Sequence, residues 1–209
     1  MTSEAQESIP RPTAERILDA AEDLFAERGY TATSLGDVAD RVGIRSPSLY
    51  NHFRNKEALY TAVLERLLTD FSAPIEKLSV GEVTSQEVMD WLEVIVRKHH
   101  ANPNLARLLQ HAALSGGPHT NEIIEGLFSP MFRSPESMEL EGDYFGQLSR
   151  MGLQPWAVMA FNNLVMSYVT MAPMYRDLLG QDPFGEEALD KQLALINTLL
   201  KAVFAYRQD

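Results

Sequence analysis

Apolar residues recur every three or four positions through the first seventy residues, and residues that begin or end helices separate the runs. The first run predicts a helix that Thr13 caps and Gly29 ends. Ser34 and Asp37 have the spacing of a capping box, which predicts a short second helix that Gly43 ends.

Two more helices are predicted before residue 71. Ser46 is placed to cap a third helix that opens with Pro47, since proline's missing N–H is unpaired there in any case. This helix is expected to run to about Phe53. Asn55 can cap a longer fourth helix, whose apolar period continues to Asp70.

The rest of the chain keeps helical spacing, and it shows no clear strand alternation. The fold class is therefore all-α, with a small N-terminal three-helix domain that a long helix joins to a larger helical domain. The predicted helical segments of the larger domain are residues 84–101, 104–115, 119–131, 136–150, 155–179 and 186–207.

Residues 155–175 contain no charged side chain, and this length of 21 residues would suffice for a membrane span. Asn162 and Asn163 interrupt the stretch and proline stands near both ends, so we expect no membrane partner. A helix that is apolar nearly all round must be covered by the core on one side and by a partner or ligand on the other.

The last predicted helix carries two neighbouring apolar stripes, and two stripes need two partners. One can face the domain core and the other a symmetry mate, which predicts a homodimer through the last two helices. The alternative is a fully buried helix in a monomer. The stripe assigned to the dimer interface is Leu189, Leu193, Ile196, Leu200 and Val203, and its neighbour is Leu195, Leu199, Ala202 and Tyr206.

The charge distribution changes what the net charge implies. The formal net charge of −11 argues against a nucleic-acid partner. The window 41–56 is +4, however, because it holds Arg41, Arg45, Arg54 and Lys56 and no acidic residue. Such a window is either a local nucleic-acid footprint or a solvated basic face.

Two short helices joined through Gly43-Ile44-Arg45 have the spacing of a helix-turn-helix. The residues from Thr33 to Leu59 resemble the DNA-binding signature of the TetR family of transcriptional regulators, above all in Leu49-Tyr50-x-His52-Phe53-x-x-Lys56-Glu57-x-Leu59. The resemblance implies a ligand-responsive regulator, usually a repressor. We expect a tail over 1–12, a DNA-binding domain over 13–57 and a ligand-binding and dimerisation domain over 58–209.

A helix in the major groove reads base edges with the side chains near its N-terminus. Arg45 could pair with guanine and Asn51 with adenine, while Pro47 and Ser48 could touch a thymine methyl or a phosphate. Local capping explains Ser46 and Pro47 as well. The predicted base-reading residues are Arg45, Ser46, Pro47, Ser48 and Asn51.

A second group is predicted to contact phosphates, because such contacts need donors without base selectivity. Lys56 lies in the first turn of a helix, where the dipole disfavours a cation, and this mismatch suggests a functional role. A packed structural histidine remains the alternative for His52, and capping remains the alternative for Thr33 and Ser34. The predicted phosphate contacts are Thr33, Ser34, Tyr50, His52 and Lys56.

The larger domain is rich in methionine and aromatic residues, which suit a pocket for an apolar or aromatic effector or simply fill an ordinary core. The polar groups expected to orient a ligand are His111, Asn163 and Tyr168. The apolar lining candidates are Phe128, Phe132, Phe145 and Trp156.

No catalytic chemistry is apparent. The chain has no cysteine, and His99 and His100 are adjacent, so they diverge on a helix and lack the spacing of a zinc pair. No enzyme motif, cofactor or metal is therefore expected, and the residues before 13 carry no apolar stretch of a signal peptide. We expect a cytoplasmic regulator that binds double-stranded DNA. The acidic balance favours the alternative, a helical interaction or small-molecule-binding module without DNA binding.

Overall fold

The computed structural model describes residues 11–80, 85–115 and 152–205. The chain divides after Leu64 into two compact units. The predicted helices 119–131 and 136–150 and most of the predicted tail lie outside the described residues, as do the pocket candidates Phe128, Phe132 and Phe145. The prediction of an all-α fold is confirmed, since every regular element of the described ranges is a helix.

The first unit contains three helices and the start of a fourth: α1 (Thr13–Ala32), α2 (Leu35–Val42), α3 (Ser46–Tyr50) and α4 (Lys56–Val80). The predicted N-cap of α1 is wrong by one residue, because Pro12 occupies that position and its carbonyl accepts the Glu15 N–H at 3.1 Å. Gly29 leaves helical geometry, with φ of 76°, but a short helical piece follows it to Ala32. The glycine therefore bends the end of α1 rather than ending it.

The capping of α2 is confirmed. The Ser34 Oγ accepts the Asp37 N–H at 3.1 Å, and the Asp37 carboxylate accepts the Ser34 N–H at 2.8 Å. The Ser34 hydroxyl also donates to the Asp37 carboxylate at 2.6 Å, and this bond together with the one from the Ser34 N–H holds the pKa of the Asp37 carboxyl below its usual range. Gly43 ends the helix in the left-handed conformation, with φ of 74°.

The start of α3 differs from the prediction. Arg45 is its N-cap, so Ser46 is the first helical residue and makes no side-chain capping bond. The helix ends at Tyr50, before the expected Phe53. The predicted cap of α4 is confirmed, because the Asn55 Oδ1 accepts the Ala58 N–H at 2.7 Å.

The second unit contains α4 beyond Leu64, α5 (Ser85–Ala101), α6 (Asn104–Ser115), α7 (Gln154–Leu179) and α8 (Glu186–Ala205). Helix α5 packs against α8, α7 and α6, and α6 also packs against α7. None of the helices within the described ranges is long and apolar enough to cross a membrane.

The stripe of α8 that was assigned to a dimer interface instead builds the core of the second unit. Leu193 and Ile196 are buried with Val96 of α5 and Val165 of α7, and the flanking residues Leu189 and Leu200 pack against the same cluster. Val203 has no described side chain. The assignment of this stripe is therefore corrected: it is the neighbouring stripe, with Leu195 and Leu199, that is exposed.

Helix α7 also has two apolar sides. Val165, Met166, Val169 and Ala172 are buried, whereas other large apolar side chains of the helix are exposed. The most exposed is Leu178, at 70%. The exposed apolar face of the second unit comprises Leu164, Met171, Met174 and Leu178 on α7 with Leu195 and Leu199 on α8.

Candidate nucleic-acid interface

The predicted base-reading residues lie together on one exposed turn. Arg45, Ser46, Pro47 and Ser48 are exposed at the start of α3, and Asn51 is exposed at its end. Between them Leu49 is 0% exposed, so it fixes the turn to the core of the first unit. This α3 turn, residues 45–51, therefore presents polar side chains on a firmly anchored backbone.

The structure reduces the basic window to two free cations. The Arg41 guanidinium forms an ion pair with Glu27, at 3.3 Å between Nη2 and Oε2. Arg45 and Arg54 are exposed, and neither guanidinium forms a hydrogen bond or an ion pair with the described part of the chain. Arg54 was not among the predicted site residues, although the positive charge of the window 41–56 indicated it.

Tyr50 and His52 flank the α3 turn. Tyr50 is 54% exposed, and His52 is exposed, so the alternative of a packed structural histidine is wrong. Both side chains are therefore accessible to a partner that docks on α3.

Thr33 is removed from the predicted phosphate contacts. It is 1% exposed, and its hydroxyl bonds the Leu24 carbonyl at 3.1 Å and the Gly29 carbonyl at 2.9 Å. The hydroxyl holds the end of α1 together and cannot reach a ligand.

Ser34 lies at the edge of a shallow open cleft. Its lining residues come from the end of α1, the start of α2, the end of α3, the start of α4 and the links between these helices: Thr31, Ala32, Thr33, Ser34, Leu35, Gly36, Tyr50, Arg54, Asn55 and Lys56. The amides of Leu35 and Gly36 belong to the first turn of α2, where no intrahelical acceptor exists. Backbone donors, the dipole of α2 and the Arg54 cation thus favour an anion in this cleft.

Lys56 lines the cleft but is half-buried and already bonded. Its Nζ donates to the carbonyls of Tyr30 at 2.8 Å, Thr33 at 2.9 Å and Thr31 at 3.4 Å. It also lies 4.3 Å from the centre of the Tyr30 ring. The cation that looked misplaced in the first turn of α4 therefore stabilises the end of α1.

Four of the predicted pocket residues lie within the described ranges, and two of these four are exposed. Trp156 is 66% exposed and Asn163 is also exposed, so neither lines a closed cavity. His111 is half-buried. Tyr168 is half-buried as well, and its hydroxyl donates to the Pro183 carbonyl at 2.6 Å.

His100 is a buried polar residue that was not predicted as part of a site, and Tyr168 covers it. The Tyr168 ring stacks on His100, with 5.4 Å between ring centres, and Phe184 meets His100 edge-on. The His100 Nε2 bonds the Gln192 side chain of α8. Within the described ranges, no group of three His, Cys, Asp or Glu residues is placed to hold a metal ion.

Comparison with known proteins identifies the first unit. Residues 17–63 match the family of bacterial regulatory proteins, tetR family. The HTH-type transcriptional repressor ComR from Escherichia coli (strain K12) is 48% identical over 70 residues, which cover 34% of this chain and 33% of ComR. This chain spans less than half of the length of the curated relatives it matches.

Solved structures extend the likeness in fold to the second unit. The fatty acid degradation regulator FadR from Bacillus halodurans has a TM-score of 0.58 at 19% identity, covering 95% of this chain and 97% of its own. The regulator FadR from Bacillus subtilis, solved in complex with stearoyl-CoA, has a TM-score of 0.55 at 19% identity, covering 93% and 99%. Residues 17–63 thus match the helix-turn-helix domain of the TetR family, and the chain shares the all-helical fold of these solved structures.

Proposed function

We propose that this chain is a DNA-binding transcriptional regulator that reads a two-fold operator as a homodimer and releases it when an apolar or aromatic molecule binds the second unit. The α3 turn carries the proposal, because Leu49 anchors it while its polar side chains and Arg45 remain unpaired and exposed. A side chain with no partner inside the protein is free to hydrogen-bond a base edge. Repression, rather than activation, follows ComR, which is named a repressor.

The proposed base contacts are Arg45, Ser46, Pro47, Ser48 and Asn51. Arg45 has the fork geometry that pairs with guanine, and Asn51 can pair with adenine. The proposed phosphate contacts are the first-turn amides after Ser34 together with Tyr50, His52 and Arg54. These groups lie around the cleft or beside the turn, so they could fix the register while α3 reads the bases.

The exposed apolar face of the second unit is the proposed dimer interface. Dimeric readers of this kind place their recognition helices about 34 to 36 Å apart, so one copy cannot occupy both half-sites. Leu164, Met171 and Leu178 on α7 and Leu195 and Leu199 on α8 are apolar yet exposed in the single chain. A second copy would cover them, which is the partner that the uncharged stretch of α7 predicts.

The proposed effector is apolar. Stearoyl-CoA is the first probe to test, because it is bound to the Bacillus subtilis FadR, whose fold this chain shares. An effector can release DNA only if it binds the DNA-free arrangement of the dimer more tightly than the DNA-bound one.

A gel shift with the DNA upstream of the protein's own gene tests the proposal. Wild-type protein should retain this DNA in preference to random DNA, and its affinity should fall steeply with salt. Arg45→Ala should weaken binding to the upstream DNA by about 10- to 100-fold and affect random DNA less. Arg11→Ala is the matched control, because Arg11 is an exposed cation of the same unit that is already paired with Asp19 at 3.2 Å.

Two results would contradict the proposal. Equal losses on upstream and random DNA from Arg45→Ala would remove the base-reading role of α3. Absence of any salt-dependent retention, with the apolar face still pairing two copies, would favour the helical interaction module that the net charge of −11 suggests.

A further inference from the structure

The Lys56 ammonium donates its hydrogen bonds to backbone carbonyls of the first unit. It has three N–H donors, and three backbone carbonyls, of Tyr30, Thr31 and Thr33, lie within 3.4 Å of Nζ. The face of the Tyr30 ring supplies a further attraction to the cation. A phosphate would have to compete with all of these groups.

These carbonyls lie in residues 30–33, at the bent end of α1. Carbonyls at a helix end lack intrahelical partners and carry the negative end of the helix dipole, so a cation stabilises them. Thr33 ties the same segment to the body of α1 through its hydroxyl. Residues 30–33 are thus held from α1 by Thr33 and from α4 by Lys56.

The next residue, Ser34, caps α2 and opens the cleft. The position of residues 30–33 therefore sets where the first-turn amides of α2 lie relative to Tyr50 and Arg54 across the cleft. Lys56 on α4 therefore influences the position of the α2 amides in the proposed phosphate site through residues 30–33.

We propose that Lys56 is a positioning residue: its ammonium clamps residues 30–33 so that the α2 amides face the DNA backbone. The clamp deepens the proposed function and rests on it for its effect on DNA. The clamp itself exists in the free protein, which makes it testable without DNA.

Two substitutions distinguish a clamp from a phosphate contact. Lys56→Met keeps the apolar stem and removes the charge. Lys56→Arg keeps the charge and is itself a strong phosphate donor, but its planar fork cannot converge on three carbonyls around one nitrogen. A phosphate contact would tolerate arginine, whereas the clamp would not.

The first measurement is amide hydrogen exchange of the full-length free protein, read over peptides that contain residues 30–36. Both variants should accelerate exchange there by about tenfold or more, because charged hydrogen bonds that hold the segment are lost. Arg54→Met is the matched control, since it removes an exposed, unpaired cation from the same cleft and should leave this exchange unchanged.

The second measurement is the affinity for the upstream DNA across salt concentrations. Lys56→Met and Lys56→Arg should both weaken it, with no rescue by arginine, while Arg54→Met should reduce the salt slope by about 0.9. Unchanged exchange in Lys56→Met, or wild-type affinity in Lys56→Arg, would overturn the clamp. Failure of the wild-type protein to bind any DNA would overturn the proposed function instead, and the exchange comparison would still decide for or against the clamp.

Discussion

The α3 turn and helix α7 are both surfaces left uncovered by their own units, yet they differ in every chemical respect. Helix α3 at the centre of this turn is five residues long, and the turn exposes Arg45 and Ser48 around the buried Leu49. Helix α7 is 26 residues long and exposes leucine and methionine opposite its buried side. The first surface offers directional hydrogen bonds and charge, and the second offers only area that gains from leaving water.

The polar or apolar character of each surface indicates which kind of partner it fits. Water satisfies the hydrogen bonds of an exposed polar turn, so exposure of this turn is not unfavourable. Such a turn can select a partner by its hydrogen-bond pattern. Helix α7 carries no charge over residues 155–175, so its exposed apolar side chains gain most from an equally apolar surface, and a second copy of α7 and α8 would supply one. In the proposed function, the α3 turn recognises nucleic acid and the exposed apolar face recognises a second copy of the chain.

Removing the anchor of the α3 turn should give the largest effect. Leu49→Ala empties a fully buried site and should cost about 2–5 kcal/mol of unfolding free energy in the first unit. Leu178→Ala, at the 70% exposed position of α7, should change the unfolding free energy of the monomer by less than about 0.5 kcal/mol. Hydrogen exchange resolved by peptide checks both, and a similar cost in the two variants would erase the contrast between the surfaces.

Charging the apolar face should give the next largest effect. Met171→Glu and Leu195→Glu each place two like charges near a two-fold axis and should weaken the dimer by at least about tenfold. Sedimentation equilibrium measures the change.

Leu114→Glu is the matched control for the dimer test. Leu114 is a still more exposed leucine, on α6 rather than on the proposed interface. Equal dimerisation in Met171→Glu, Leu195→Glu and Leu114→Glu would show that this face is not the interface.

The features that sequence predicts well here are those whose partners are close in the chain. The capping box of Ser34 and Asp37, the left-handed Gly43 and the Asn55 cap each depend on residues within a few positions, and all three are confirmed. The N-caps of α1 and α3 were wrong by one residue, because the backbone at Pro12 and Arg45 is extended and supplies the cap position itself.

The features that sequence could not predict depend on distant partners. Lys56 meets Tyr30 across 26 positions, so its charge looked like a sign of DNA contact alone. Both stripes of α8 are equally apolar, and only the packing of Ile196 against α5 and α7 decides which one is core. The apolar pattern of α8 indicated that both stripes are covered, but it could not show which stripe packs in the core and which meets a partner.

Removing the cap of α2 should give a smaller effect on the same unit as Leu49. Ser34→Ala should lower the unfolding free energy of the first unit by about 1 kcal/mol, because the free amide at the third helical position loses its acceptor. Hydrogen exchange over α2 measures this loss.

Ser48→Ala is the control, because this serine is exposed on α3 and its side chain makes no hydrogen bond within the described ranges. Ser48→Ala should leave stability unchanged within about 0.5 kcal/mol and alter only DNA affinity. A stability loss in Ser48→Ala as large as that in Ser34→Ala would contradict the division between structural and base-reading serines.

The smallest expected effect is a pH dependence confined to the second unit. Burial, and secondarily the neighbouring His100, hold the pKa of His99 below its ordinary value of 6.5 in the folded chain, against the hydrogen bond of its Nδ1–H to the Ile95 carbonyl at 2.9 Å. As pH falls through about 6.5, the unfolded chain takes up a proton at this position before the folded chain does, so unfolding is favoured and stability declines. The decline should end once the pH passes below the folded pKa.

Tryptophan fluorescence isolates this decline, since the only two tryptophans, Trp91 and Trp156, both lie in the second unit. Urea denaturation followed by this signal should show a midpoint that drops between pH 7.5 and pH 5.5, and His99→Gln should flatten the drop. His52→Gln, at an exposed histidine of the first unit, should not change it. If the midpoint falls with pH as steeply in His99→Gln as in the wild type, another group is responsible for the decline. The burial of histidines in the second unit and the exposure of His52 in the first unit would then make no difference to stability.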